Sequence, residues 1–143
     1  MLNVMLFLHV IGAVGMGIYA VLPFVAGKFS QLSGEAQGGL ASGLAAAGRI
    51  GQYALVLQLL TGGYLISQTG SDYAVSWMIV SVVLFLAIAA LTGIVQASIK
   101  RVAAASKDGQ NASSSIGKIR TLSSIVFILF LVILWVMTNP WYA

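Results

Sequence analysis

The chain has 143 residues, of which 59% are hydrophobic and 7% are charged, so it cannot be an ordinary soluble domain, where about a quarter of the residues are charged. The absence of cysteine excludes disulfides, thiolate metal sites and cysteine nucleophiles. The net charge of +4 comes from basic residues beside apolar segments, which indicates contact with an anionic membrane surface and no role in nucleic-acid binding.

Four apolar stretches are long enough to cross a bilayer as helices, since a hydrocarbon core of about 30 Å needs about 20 residues. Lipid satisfies no free backbone amide, so each stretch must be helical. We therefore predict an all-α fold, an antiparallel bundle of four transmembrane helices that forms a single membrane domain over residues 1–143. The spans are predicted at about 4–26, 50–67, 75–99 and 119–137.

The first span lacks a basic segment before its apolar stretch, so we interpret it as a retained helix and not a cleaved signal peptide. Pro23 removes the amide that would bond to the Tyr19 carbonyl, so the helix is expected to bend or end near this residue. Small residues allow helices to approach closely in lipid. The predicted helix-packing positions are Ala13, Gly17, Gly62 and Gly63.

The loops at 28–48 and 100–118 are predicted to be cytoplasmic, because all seven Lys and Arg residues lie in or beside them. In the first of these loops, Ser33 could cap a helix that extends the second span, and the second of them is interpreted as a mobile linker over 102–117. Tryptophan and tyrosine gather at the opposite ends of the spans, as in an aromatic belt. We expect a multi-pass protein of the bacterial cytoplasmic membrane with both termini outside.

His9 is the only histidine and lies inside the first span. Counting 1.5 Å per residue places it about a quarter of the way into the hydrocarbon from the outer face, level with Thr61 and Tyr64. A neutral imidazole at this depth needs a partner. Two interpretations stay open: a structural residue bonded to Thr61, Tyr64 or a carbonyl, or a ligand of a metal or cofactor.

Methionines near the outer face favour the second interpretation. Met5 lies one turn from His9 on the same side of the helix, and Met137 is level with them on the fourth span. Thioether and imidazole together suit Cu(I), or haem iron with His and Met as axial ligands, although methionine is also an ordinary gap filler. The candidate cofactors are haem b and copper, and the candidate ligand site comprises His9, Met5, Met137, Tyr64 and Thr61.

Gln58 and Thr61 place polar side chains inside the second span. Interhelical hydrogen bonds are their ordinary use, and a pathway for a small solute is the alternative. A proton-coupled pump usually needs an intramembrane carboxylate, which the spans lack. The sequence has no nucleophile with a base, carboxylate pair, phosphate loop or zinc motif, so no enzymatic activity is predicted.

The first span, with Leu8-His9-Val10-Ile11-Gly12-Ala13 followed by Gly15 and Gly17, resembles the first helix of small bacterial membrane proteins related to copper-resistance protein D. Gly48-Arg49-Ile50-Gly51 and Leu60-Thr61-Gly62-Gly63 are similar to the same group, so the resemblance covers residues 1 to about 100. It implies an antiparallel four-helix bundle in a wider group that includes b-type cytochromes, whose haem is held by histidine pairs. Only His9 has a counterpart here, so ligation by His9 of two chains, or by His9 with a methionine such as Met137, would be required.

Three hypotheses follow. The first is a non-enzymatic membrane protein with a haem or copper site around His9. The second is a structural or accessory subunit, in a homo-oligomer or a larger membrane complex, that binds through its small-residue faces. The third is a small-solute channel or carrier that uses Gln58 and Thr61.

Overall fold

The computed structural model describes residues 2–109 and 113–142. Within these ranges the helices are α1 (Leu2–Gly15), α2 (Ile18–Ala26), α3 (Gly34–Thr69), α4 (Val75–Lys107) and α5 (Ser113–Thr138). Helices α1 and α2 together form span one, and α3, α4 and α5 form spans two, three and four. In the described part of the chain, these four spans are long and apolar enough to cross a membrane. The predicted all-α bundle of four transmembrane helices is confirmed.

Span one is interrupted between α1 and α2, at Met16 and Gly17. The amide of Gly17 bonds to the Val14 carbonyl at 2.9 Å, and the amide of Tyr19 bonds to the Met16 carbonyl at 3.0 Å. These bonds span three residues instead of four, so the helix tightens locally into a 3₁₀ turn. A Cβ at Gly17 would lie 2.9 Å from the Val14 carbonyl oxygen. Glycine is therefore needed at position 17 for the turn within span one, and not for contact with another helix.

Pro23 lies inside α2, where its ring is accommodated without ending the helix at once. The α-helix ends at Ala26, and the chain continues as a 3₁₀ turn over Gly27–Gln31. The missing proline amide weakens the last turns of α2, which agrees with an end shortly after it. The sequence thus located the end of the helix but missed the interruption at Met16 and Gly17.

The helical extension of the second span, one of the two possibilities that the sequence left for the first basic loop, is present, because α3 starts at Gly34 and runs without a break to Thr69. Ser33 precedes it with extended backbone, as an N-cap residue does, although its hydroxyl makes no capping hydrogen bond. The side-chain amide of Gln37 donates to the carbonyls of Phe29 at 2.8 Å and Leu32 at 3.0 Å. This tie fixes the start of α3 against the 3₁₀ turn, and residues 34–48 form the helical extension of the second span.

Helices α3 and α4 are longer than a bilayer is thick. Their 36 and 33 residues correspond to about 54 Å and 50 Å, against a hydrocarbon core of about 30 Å. The Ser106 hydroxyl donates to the Gly34 carbonyl, so the end of α4 is joined to the start of α3. The predicted linker over 102–117 is helical up to Lys107 and again from Ser113, and its residues 110–112 lie outside the described ranges. Gly109, with a φ of 70°, ends α4 in the left-handed region that glycine favours.

The two halves of span one pack against different helices. Helix α1 packs mainly on α3, whereas α2 packs mainly on α5, and α3 with α4 and α4 with α5 complete the bundle. Side chains that are fully buried in the core include Ala26, Phe29, Ile99, Val102 and Ile119. In α1, by contrast, only Gly12 is buried.

The two ends of the bundle differ in chemistry. At the aromatic end, the Tyr73 ring stacks on Trp77 with centroids 4.9 Å apart and on Tyr142 at 5.5 Å. The indole N–H of the buried Trp77 donates to the carbonyl of Val136 at 2.8 Å, which joins α4 to α5. The basic end, opposite, carries the exposed side chains of Lys28, Arg49, Lys100, Arg101, Lys118 and Arg120.

Candidate functional site

His9 of α1 is hydrogen-bonded to Thr61 of α3 across the interface of the two helices. His9 Nδ1 lies 2.8 Å from Thr61 Oγ1, which lies 2.7 Å from the carbonyl oxygen of Leu57. The hydroxyl has a single hydrogen, which it donates to the Leu57 carbonyl, so its oxygen accepts the Nδ1–H of His9. This arrangement assigns the imidazole proton to Nδ1 and leaves a lone pair on Nε2.

The imidazole lies beside Gly62 of α3. A Cβ at Gly62 would lie 3.4 Å from His9 Cε1, at the limit of ordinary contact. Tyr64, the other candidate partner at this depth, is half-buried and takes no part in the hydrogen bond between His9 and Thr61. Gly63 is exposed, and no atom lies within 4 Å of the position that its Cβ would take. Of the two neighbouring glycines, Gly62 is thus the one in contact with another helix.

The methionines predicted from their depth as metal ligands lie on helices that do not all surround His9. Met5 is half-buried one turn from His9, but α3, the helix packed on α1, contains no methionine. Met137 is 37% exposed and lies on α5, which packs against α2 and α4. Among the described residues no group of three or more His, Cys, Asp or Glu side chains could hold a metal ion. Among the described methionines, Met5 is the one that lies one helical turn from His9 on the same helix.

Gln58 lies one turn before Thr61 and packs into the notch left by Gly12 of α1. A Cβ on Gly12 would overlap the Gln58 amide. The Gln58 side-chain oxygen is buried and has no hydrogen-bond partner in the described part of the chain. Helix α1 therefore covers both members of the polar pair in the second span. A path along Gln58 and Thr61 would open only if α1 moved away from α3.

Two further polar side chains are buried deeper in the bundle, and each also packs on a glycine. Tyr19 is 3% exposed and adjoins Thr92, and a Cβ on Gly51 would lie 2.7 Å from its hydroxyl oxygen. The Tyr19 hydroxyl has no well-formed hydrogen bond within the described ranges. Gln96 of α4 donates its amide to the Ala45 carbonyl at 2.7 Å, and its side chain fills the notch of Gly48.

A single packing rule thus recurs through the interior: a polar side chain of one helix occupies the space above a glycine of the facing helix. The pairs are Gln58 on Gly12, Tyr19 on Gly51 and Gln96 on Gly48, whereas a Cβ on Gly62 would make only an ordinary contact with His9. Packing roles for small residues were predicted from the sequence, but Tyr19 and Gly12 were not predicted as members of such pairs. The available signal was their spacing of seven residues, which places them on one face of span one.

The comparisons with known proteins support the membrane assignment. Residues 3–140 match the family described as "Predicted integral membrane protein (DUF2269)". No curated protein and no solved structure matches the chain. The match covers nearly the whole length, including all four spans and the His9 region, and its description gives a membrane location without a reaction. The chain therefore belongs to the DUF2269 family of integral membrane proteins.

Proposed function

We propose that this protein is a non-enzymatic haem-binding membrane protein in which His9 is an axial ligand of the iron. The observation that carries the proposal is the chain of hydrogen bonds from His9 Nδ1 to Thr61 and on to the Leu57 carbonyl. Histidines that bind metals almost always donate their other ring N–H to an orienting acceptor. Thr61 supplies that acceptor, so the Nε2 lone pair is held in a fixed direction.

The donor set favours haem over copper. Cu(I) needs two or three soft protein ligands, and α3, on which His9 packs, offers it no thioether or second imidazole. Haem iron already has four nitrogen ligands from its own ring, so one imidazole is enough to attach it. Leu6 and Ala13, three residues before and four after His9, lie on the same side of α1 and offer an apolar surface to a porphyrin. The chemistry of the site therefore fits haem b.

A histidine pair, as in the haem proteins of the resembled group, would need an imidazole from outside this chain, since His9 is its only histidine. His9 of a second copy of the chain satisfies this need, because haem proteins of the resembled group use histidine pairs. The proposal therefore includes a homo-oligomer with haem between two α1 helices. The exposure of α1, in which only Gly12 is buried, leaves room for such a partner.

Haem titration of the purified protein in detergent tests this proposal. We expect a Soret band that is abolished by His9→Leu and whose apparent Kd rises about 10- to 100-fold in Thr61→Val, because loss of an orienting partner typically weakens metal binding by that factor. Thr61→Ser keeps the hydroxyl and serves as the matched control, and Met5→Leu tests methionine ligation. A Soret band of unchanged position and strength in His9→Leu would reject the proposal.

We propose further that the basic end faces the cytoplasm of a bacterium and that both termini face outward. All seven Lys and Arg residues belong to the basic end, which supports this orientation by the positive-inside rule. The chain has no cysteine, so single cysteines report topology without background labelling. In intact cells, Ser71→Cys at the aromatic end is expected to react with a membrane-impermeant maleimide, and Ser114→Cys at the basic end to react only after lysis. The reverse pattern would overturn the orientation.

A structural subunit of a larger membrane complex is a second candidate. It is favoured by the same exposure of α1, because a helix with one buried residue has most of its surface free for lipid or for another protein. Crosslinking in native membranes separates the candidates. A heteromeric product supports the subunit role, and a homodimer crosslinked through α1 supports the haem-bridged arrangement.

A further inference from the structure

A shallow, open groove lies near the basic end on the face of α5 that is turned away from the bundle. It is lined by Gly117, Arg120, Thr121 and Ser124 of this one helix. These residues are spaced as one face of a helix, and all four are exposed. Nothing lies within 4 Å of the position that a Cβ on Gly117 would take, so this glycine leaves the groove open.

The polar groups of the groove suit a phosphate. Arg120 presents a guanidinium fork, which matches phosphate oxygens in a bidentate manner, and Thr121 adds a hydroxyl donor on the same face. The Ser124 hydroxyl is bonded to the Arg120 carbonyl at 2.8 Å, so it forms the wall of the groove and leaves the guanidinium as the main donor. The groove therefore favours an anion held by Arg120.

The surrounding charge has the same sign. All seven basic residues of the chain belong to the basic end, whereas only Glu35 and Asp108 of its three acidic residues do. Lys28 lies in the 3₁₀ turn that packs against α5, which places a second cation beside the start of this helix. The local field attracts a negatively charged headgroup.

From the groove toward the aromatic end, the same face of α5 becomes apolar. Continuing at helical spacing from Thr121 and Ser124, it presents Ile128 and Leu131, which are 59% and 49% exposed. A polar groove at the edge of the bilayer that continues into an exposed apolar stripe has the two-part character of a phospholipid. A free anion would use only the polar part.

We propose that this face of α5 is a binding site for an anionic phospholipid, whose phosphate is held by Arg120 and Thr121 and whose acyl chain lies along Ile128 and Leu131. The site is separate from His9, which lies on α1 near the aromatic end. It gives the protein a fixed lipid neighbour on the side of the membrane that the basic end occupies.

Native mass spectrometry of the full-length protein with phosphatidylglycerol or phosphatidylcholine tests the proposal. We expect phosphatidylglycerol to be retained preferentially, and Arg120→Gln to weaken its binding about tenfold, the loss typical of a charge-assisted hydrogen bond. Lys100→Gln removes the same charge at the same end but outside the groove, and should change binding by less than about twofold, because exposed charges are screened. Gly117→Leu should also weaken binding, since it fills the groove without altering charge.

Three outcomes would overturn the assignment. Equal losses in Arg120→Gln and Lys100→Gln would mean that general charge attraction explains retention. Equal retention of phosphatidylcholine would mean that the headgroup is not selected. Complete displacement of phosphatidylglycerol by inorganic phosphate at millimolar concentration would reduce the site to an anion site without an acyl component. The three substituted residues are all exposed, so the variants are expected to fold. A circular dichroism spectrum that matches that of the parent protein checks this.

Discussion

Trp77→Ala is expected to lower the free energy of unfolding by about 3 kcal/mol, the range found when large buried aromatic side chains are truncated. Trp77 is only 8% exposed, although it stands near the start of a membrane helix. Its indole N–H donates to the Val136 carbonyl of α5, and its ring stacks on Tyr73, which in turn stacks on Tyr142. The substitution therefore removes a packed ring, a hydrogen bond between two helices and one member of an aromatic stack.

Equilibrium unfolding with sodium dodecyl sulfate in mixed micelles, followed by circular dichroism, measures this loss. Trp135→Ala is the matched control, because Trp135 is 69% exposed on the neighbouring helix and its removal should cost less than about 1 kcal/mol. Trp77→Phe keeps a ring but loses the donor, so it should cost about 1 kcal/mol. Equal losses in the two alanine variants would show that Trp77 acts only as a membrane-interface residue.

Gly51→Ala is expected to lower the free energy of unfolding by about 1–3 kcal/mol, the usual cost of overpacking a filled interior. The added Cβ would lie 2.7 Å from the Tyr19 hydroxyl oxygen, 2.8 Å from its ring carbon Cζ and 2.9 Å from Ile18 Cγ2. A tyrosine ring cannot bend to make room, so span one must shift away from α3. The shift would also disturb the contacts of the Tyr19 ring with the core.

Gly63→Ala, in the same helix, is the matched control, because it adds the helix preference of alanine without the clash. Nothing lies within 4 Å of its Cβ position, so the free energy of unfolding should stay unchanged or rise by up to about 1 kcal/mol, the propensity difference between alanine and glycine. The double variant Gly51→Ala with Tyr19→Leu should recover part of the loss if Tyr19 is the obstacle. An equal effect at positions 51 and 63 would contradict the packing described here.

The four helices and their approximate limits in lipid follow from the sequence, because the bilayer sets the length of an apolar span and forces its backbone to be helical. The extra turns of α3 and α4 do not follow from hydropathy. Residues 34–48 are rich in glycine, alanine and serine, which resembles a loop in composition. They are helical because Ala41, Leu44 and Ala45 are buried in the core and Gln37 fixes the helix start.

The sequence predicts how deep in the membrane each residue of the candidate site lies, but not which neighbouring helix its side chain faces. Counting residues placed His9 level with Thr61 and also level with Met137, and only the packing of α1 on α3 distinguishes these neighbours. The interruption at Met16 and Gly17 determines that packing, because it lets α1 follow α3 while α2 follows α5. From the sequence, a bend was predicted at Pro23, because proline removes a helix hydrogen bond. The tightened turn instead depends on the absence of one Cβ near the Val14 carbonyl.

Because interior polar side chains pack on glycines of other helices, substitutions at positions far apart in the sequence depend on each other. A larger residue at Gly48 can persist only together with a shorter one at Gln96, and the same dependence ties Gly12 to Gln58 and Gly51 to Tyr19. We therefore expect the two members of each pair to change together, although they lie on different helices. Sequence drift in this protein should therefore be slow along these seams and free on the surfaces that meet only lipid.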